Sequence, residues 1–125
     1  MRILVVDDQV EFLPLVSGWL RMLRGIVAVE VAASVAEALA LFEEVKPDVV
    51  ITDIRMPGID GFEFTRRLKA RDAPPVVVMM TGLESRRFRD EAHAAGADYF
   101  LEKSRLHKLL PQFLVERFGV GHIPV

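Results

Sequence analysis

An apolar run leads directly into a carboxylate in the segment Asp48-Val49-Val50-Ile51-Thr52-Asp53-Ile54-Arg55-Met56-Pro57. The run shows no alternation of apolar and polar side chains, which is typical of a strand covered on both faces inside a parallel sheet. Asp53 therefore lies where this strand ends and its loop begins. Open α/β sheets build their sites at the carboxyl ends of strands, so Asp53 is a candidate for chemistry. The alternative is that its carboxylate only caps a turn.

Apolar patterns elsewhere in the chain predict four more strands. Residues 3–6 and 76–80 are as apolar as the first run, so we expect both strands inside the sheet. Residues 27–31 alternate and residues 99–103 contain Glu102, which places these two strands at the edges. Helical spacing of apolar residues predicts one helix after each strand. Together these elements predict an α/β fold: a doubly wound five-stranded parallel sheet in the flavodoxin-like order 2-1-3-4-5, with five helices.

Capping residues and prolines predict where the helices begin and end. The first helix carries Pro14 in its first turn, where a missing N–H is harmless, and it ends near Gly25. Ser34 opens the second helix through a capping box with Glu37. The third helix is predicted to begin at Asp60 or Gly61, and the fourth to span residues 84–95. Pro111 limits how early the last helix can begin.

The composition is that of a single compact domain. The chain has 125 residues, 51% of them hydrophobic, and we expect a domain at residues 1–118 followed by a short tail or linker at residues 119–125. With 16 basic and 18 acidic residues the net charge is −2, which indicates no general affinity for nucleic acid or membrane. The absence of cysteine favours a reducing compartment, and the apolar N-terminus is too short for a signal peptide or a membrane span. We therefore expect a cytoplasmic protein.

The predicted strand order brings chemistry-bearing side chains to one edge of the sheet. Its switch point lies between the first and third strands, which end in Asp7-Asp8 and in Asp53. Carboxylates gathered in one crevice repel each other unless a positive charge lies among them, and an all-oxygen site suits Mg²⁺. The fourth strand adds the hydroxyl of Thr81, and the fifth adds the ammonium of Lys103. Such a site can bind Mg²⁺ and hold a phosphoryl group on a carboxylate oxygen.

These motifs resemble the receiver domain of bacterial two-component response regulators, including the single-domain chemotaxis-type regulators. The resemblance covers essentially the whole chain, with the motifs in the family's order and spacing. It rests on Asp7-Asp8, on residues 53–61, on Thr81-Gly82, and on residues 96–103.

The resemblance implies a phosphoprotein of a phosphorelay signal transduction system. Asp53 matches the residue that accepts phosphate from a sensor histidine kinase in a Mg²⁺-dependent reaction. Asp8 matches a direct Mg²⁺ ligand and Asp7 one acting through water, while Asp53 and the backbone carbonyl of Arg55 complete the metal-binding set. The resemblance therefore implies Mg²⁺ as the cofactor.

The resemblance also implies a switch. Lys103 matches the amine that pairs with the phosphoryl oxygens, Thr81 the hydroxyl that moves to meet them, and Phe100 the aromatic residue that rotates with it. Without the motif, Phe100 would be an ordinary core residue of an edge strand. Phosphorylation would then change a surface formed by the fourth helix, fifth strand and fifth helix, which contacts a downstream protein target.

One position departs from the family's usual pattern. The family usually has proline with a cis peptide after the site lysine, whereas Ser104 follows Lys103 here. A cis bond without proline costs about 3 kcal/mol, so we expect a trans bond with Lys103 still reaching Asp53. Leu83 follows Thr81 by two residues, and we expect its apolar side chain to exclude water and slow loss of the phosphoryl group.

The expected function is that of a phosphoacceptor that catalyses only its own phosphorylation and dephosphorylation, as a monomer or a phosphorylation-dependent dimer. A phosphorelay intermediate remains an alternative. A haloacid-dehalogenase-like phosphotransferase would need a second Asp where Arg55 stands, and a flavodoxin would need a phosphate-binding loop where Asp7-Asp8 stands. A degenerate receiver that only docks is disfavoured because every charged site position is present.

Overall fold

The computed structural model describes residues 1–82 and 85–119, which form one five-stranded parallel sheet with helices on both faces. The strand order is β2-β1-β3-β4-β5, as predicted. In chain order the elements are β1 (Arg2–Val6), α1 (Leu13–Arg21), β2 (Ala28–Ala32), α2 (Val35–Val45), β3 (Val49–Asp53), α3 (Gly61–Lys69), β4 (Val76–Thr81), a 3-10 helix (Ser85–Phe88), α4 (Arg89–Ala95), β5 (Tyr99–Glu102), a second 3-10 helix (Lys103–Arg105) and α5 (Leu106–Phe118).

The sheet, with β3 at its centre, divides the core into two layers. Val49 and Ile51 point into the layer formed by α1 and α5, while Val50 points into the layer formed by α2, α3 and α4. All three side chains are fully buried, which is the physical reason for the unbroken apolar run. Within residues 1–82 and 85–119, every helix is too short or too polar to span a lipid bilayer.

The edge positions of β2 and β5 follow from their sequences. In β2, Val29 is buried and Glu30 is exposed, because one side of an edge strand meets water. In β5, Tyr99 is exposed and the next three residues are half-buried. Both edge predictions are confirmed by the strand order.

Local capping fixes the starts of α2 and α3. Ser34 Oγ accepts a hydrogen bond from the Glu37 N–H at 3.1 Å, as the capping box predicts. Asp60 Oδ1 accepts one from the Glu63 N–H at 2.9 Å and so begins α3 at Gly61.

Three helix boundaries differ from the prediction. α1 ends at Arg21, earlier than the predicted end near Gly25. Residues 85–88 are a 3-10 turn, which packs the Phe88 ring 6.1 Å from the Phe62 ring, and the predicted start at Glu84 lies outside the described residues. α5 begins before Pro111, which lies inside it. Burial of Leu106, Leu110, Phe113 and Leu114 offsets the one backbone bond that proline removes. Beyond Gly119, the predicted tail lies outside the described residues.

Gly61 provides a test of how tightly α3 is packed against the end of β3. A Cβ at this position would collide with the Asp53 carbonyl oxygen and lie 2.9 Å from Ile54 Cα, both of them backbone atoms that cannot rotate away. We predict that Gly61→Ala lowers the free energy of unfolding by about 2 kcal/mol or more, measured by urea denaturation.

Gly18 is the matched control because it is an exposed position inside α1 where an added Cβ meets nothing within 4 Å. Gly18→Ala is expected to raise the free energy of unfolding by about 0.5–1 kcal/mol through its higher helix propensity. Equal stabilities for the two variants would contradict the close packing of α3 on β3.

Candidate active site at the carboxyl ends of β1, β3 and β5

Three carboxylates meet at the ends of two neighbouring strands. Asp7 and Asp8 follow β1, Asp53 ends β3, and the two strands are paired up to Val6 and Thr52. One oxygen of each carboxylate lies within 4.8 Å of an oxygen of the others. Asp7 is fully buried, Asp53 is half-buried and Asp8 is exposed. The cluster therefore runs from the core to the surface.

Lys103 brings a positive charge into this cluster. Its Nζ lies 2.7 Å from Asp7 Oδ2 and 3.1 Å from Asp53 Oδ2, and it donates a hydrogen bond to Gln9 Oε1 at 2.8 Å. None of the described peptide bonds is cis, so the bond from Lys103 to Ser104 is trans. The expectation of a trans bond with the amine still at Asp53 is confirmed.

The carboxylate oxygens of Asp7 and Asp53 differ in the hydrogen bonds that they accept. Asp7 Oδ1 accepts the Gln9 N–H at 2.9 Å, and Asp53 Oδ1 accepts the Ile54 N–H at 2.8 Å. Asp7 Oδ2 is buried and has no aligned hydrogen bond, since Lys103 approaches it as an ion-pair partner outside hydrogen-bond geometry. A buried carboxylate oxygen with spare acceptor capacity is suited to a cation.

Burial and neighbouring charge shift the ionisation of the pair. Burial raises the pKa of Asp53 above 3.8, and Asp7 raises it further, while Lys103 opposes both effects without cancelling them. Burial by itself lowers the pKa of Lys103, but its contacts with Asp7 and Asp53 outweigh this, so the pKa is raised above 10.5. The lysine therefore stays charged at neutral pH.

A cavity of about 440 Å³ opens above the cluster. Thr81, the buried last residue of β4, and Arg55 both line it, so the structure places them at the site with the carboxylates. The Arg55 guanidinium lies 5.3 Å from the centre of the Phe88 ring. The cavity is lined by Asp8, Gln9, Asp53, Ile54, Arg55, Thr81, Gly82, Phe88 and Lys103.

Phe100 does not line this cavity. Its half-buried ring packs against the layer formed by α2, α3 and α4, and the Arg89 guanidinium lies 5.7 Å from its centre. Leu83, expected to shield the site from water, lies outside the described residues.

Sequence reasoning missed three side chains at the site. Gln9 binds Lys103, the Phe12 ring centre lies 5.0 Å from Lys103 Nζ, and Phe88 closes one side of the cavity. Gln9 could have been found, because it follows the Asp pair on the same short loop. The two aromatic residues carry a helical apolar pattern that gives no hint of the cavity.

Comparisons with known proteins agree with this geometry. A family model described as the response regulator receiver domain matches residues 3–113. The chain belongs to this family. As a receiver domain it is the phosphoacceptor module of a two-component response regulator, which confirms the predicted family, fold and general function.

The relatives include regulators from several bacteria. The positive alginate biosynthesis regulatory protein of Pseudomonas aeruginosa is 38% identical over 82% of this chain and 41% of its own length. The signal receiver domain of a DNA binding response regulator from Colwellia psychrerythraea has 31% identity and a TM-score of 0.77, covering 91% of this chain and 97% of that one. The chemotaxis response regulator CheY4 of Vibrio cholerae has 32% identity and a TM-score of 0.75, over 88% and 95%. The chain spans between 31% and 41% of the length of the first three curated relatives.

The raised pKa of Asp53 predicts how its charge affects stability without metal. Because the folded state holds the proton more tightly than the unfolded state, ionisation of Asp53 destabilises the fold as pH rises above 3.8. We predict that Asp53→Asn melts at a higher temperature than the parent at pH 7 in the presence of EDTA, measured by circular dichroism. The difference in melting temperature disappears as the pH falls below 3.8, because Asp53 is then neutral in both the folded and the unfolded protein.

Asp72→Asn is the control, since Asp72 is an exposed carboxylate away from the cluster. Its melting temperature should stay close to that of the parent at both pH values. A lower melting temperature for Asp53→Asn at pH 7 would mean that Lys103 stabilises the ionised Asp53 by more than burial destabilises it.

Proposed function

We propose that Asp53 is the residue that accepts the phosphoryl group, and that the donor is a phosphohistidine of a sensor histidine kinase. The proposal is supported above all by Lys103 Nζ, which lies 3.1 Å from Asp53 Oδ2 in a cavity open to solvent. A carboxylate oxygen of Asp53 attacks phosphorus as the bond from phosphorus to the histidine nitrogen breaks, and the departing imidazole takes up a proton. The product is an acyl phosphate.

Lys103 and Thr81 stabilise the charge that this step creates. Phosphorylation replaces about one negative charge on Asp53 by nearly two and adds acceptor oxygens. The ammonium of Lys103 is already beside Asp53, and the Thr81 hydroxyl lines the same cavity. Lys103 is therefore positioned before the reaction, so it can stabilise the new charge without rearranging, whereas the Thr81 hydroxyl would move to meet the phosphoryl oxygens.

We propose that Asp7, Asp8, Asp53 and the backbone carbonyl of Arg55 hold Mg²⁺. Asp7 Oδ2, which is buried and has only the ion pair with Lys103, and the all-oxygen donor set both fit a hard cation. Bound Mg²⁺ would neutralise the carboxylates and polarise the phosphoryl oxygens.

The output is proposed to be a change in a partner-binding surface, with no external substrate turned over. Thr81 and Phe100 would respond to the phosphoryl group, and the surface of α4, β5 and α5 would carry the change to a downstream protein. Tyr99 supports this placement, because it is 42% exposed and its ring centre lies 3.9 Å from that of Phe113 in α5. A cavity of about 370 Å³ between α4 and β5 lies beside it.

Phosphorylation at Asp53 is tested with a small-molecule donor. We predict that the parent chain, incubated with acetyl phosphate and Mg²⁺, gains the mass of one phosphoryl group, measured by intact-protein mass spectrometry. Asp53→Asn gains none, because its amide cannot form the acyl phosphate.

Asp72→Asn serves as the control and should be modified like the parent. Phosphorylation of Asp53→Asn to the same extent as the parent would place the acceptor elsewhere. An unmodified parent chain would contradict the proposed activity as a whole.

Mg²⁺ binding predicts a metal-dependent rise in thermal stability. A ligand that binds only the folded state adds about 1.4 kcal/mol at tenfold and about 2.7 kcal/mol at a hundredfold excess over its dissociation constant. We predict that titration with MgCl₂ raises the melting temperature of the parent and of Asp72→Asn. Asp8→Asn should lose most of the rise, and an undiminished rise in that variant would exclude Asp8 as a ligand.

A further inference from the structure

Gln9 makes two contacts that connect the charged groups of the site. Its backbone N–H donates to Asp7 Oδ1 at 2.9 Å, and its side-chain oxygen accepts from Lys103 Nζ at 2.8 Å. It also lines the cavity above Asp53. The residue thus contacts one oxygen of Asp7 through its backbone and the Lys103 ammonium through its side chain.

The ammonium of Lys103 has three donors, and the described part of the chain places three oxygen atoms around it. Two of these oxygen atoms belong to Asp7 and Asp53, the carboxylates that could also hold a metal ion. A divalent cation on these carboxylates would weaken the attraction that holds Lys103 and would repel its charge. Gln9 is the neutral neighbour, so its attraction does not depend on the carboxylates being free.

We propose that Gln9 is a positioning residue that keeps the Lys103 ammonium in the cavity when a metal ion occupies the carboxylates. The inference rests on the proposed function, because it concerns the lysine that stabilises phosphorylated Asp53. Gln9 acts through Lys103 and requires no contact of its own with the phosphoryl group. The Phe12 ring, 5.0 Å from Lys103 Nζ, supports the same position with a weaker attraction.

The type of side chain suits this task. An amide oxygen accepts a hydrogen bond from an ammonium without adding negative charge to a cluster that already has three carboxylates. An acidic side chain would provide a further competing ligand for the metal ion. The bond lies at the rim of the cavity, where water competes, so its loss should cost less than the loss of a buried one.

The first test observes the lysine directly. The ¹⁵N-ammonium resonances of lysine are recorded by NMR with and without MgCl₂, and Lys103 is assigned through Lys103→Arg. In the parent chain the Lys103 signal is expected to stay protected from exchange when Mg²⁺ is added. In Gln9→Leu, which keeps the size but removes the acceptor, the signal is expected to broaden or vanish with Mg²⁺.

The chain supplies its own controls. Lys69 donates to the Pro75 carbonyl at 3.0 Å and to Asp98 at 2.7 Å, far from the cavity, so its signal should be the same in all variants. Gln112→Leu changes an exposed glutamine on α5 and should leave Lys103 protected. Gln9→Glu retains an acceptor and should keep the Lys103 signal in the absence of MgCl₂.

The second test measures phosphorylation by acetyl phosphate at saturating Mg²⁺. Gln9→Leu is expected to lower the maximal rate about three- to tenfold, with little change in the Mg²⁺ concentration at half-maximal rate, whereas Gln112→Leu matches the parent. An unchanged Lys103 signal together with an unchanged rate in Gln9→Leu would overturn the inference. If the parent itself takes up no phosphoryl group, the proposed function fails, and the NMR comparison still decides whether Gln9 holds Lys103.

Discussion

The structure depends on balancing negative charge at one edge of the sheet. Asp7 is fully buried, and Asp53 lies beside it at the end of the neighbouring strand. Two carboxylates so close in a poorly hydrated position repel each other, and the raised pKa of Asp53 shows that its ionised form is disfavoured there. The Lys103 ammonium, which follows β5 at the edge of the sheet, offsets part of this repulsion. Because negative charge remains in excess, the carboxylates can bind a further cation. A phosphoacceptor needs such a cation to offset the charge of the phosphoryl group.

The rest of the fold serves to hold these groups in place. The fully buried strand β3 fixes the backbone of Asp53, and α3 packs so closely on the end of that strand that only glycine fits at position 61. Asp60 caps α3 one residue earlier. By contrast, the face that would carry the signal is at the edge of the sheet, where β5 has a single neighbouring strand. The packing of β3 and α3 fixes the site, while β5 at the edge has fewer neighbours. Such an arrangement is compatible with a charge change at Asp53 that alters the surface of α4, β5 and α5.

Membership in the receiver family gives the general role, and the residues of this chain determine its details. Lys103 Nζ lies 3.1 Å from Asp53 Oδ2 although the bond to Ser104 is trans and the residue after the lysine is not proline. Gln9 Oε1 accepts a hydrogen bond from the same ammonium at 2.8 Å. The first three curated relatives are longer proteins, of whose length this chain spans between 31% and 41%.

The sequence alone determined the five strands and five helices apart from some helix boundaries, the sheet order, and four of the charged side chains at the site. It could do so because apolar runs and alternation report burial locally, and because parallel strands of known order must end at the same edge. Only the tertiary structure decided how α5 accommodates Pro111, where the turn before α4 packs Phe88, and which oxygens surround Lys103. These features arise from packing and side-chain contacts between segments distant in sequence, such as Gln9 and Lys103, and no local pattern encodes such distances.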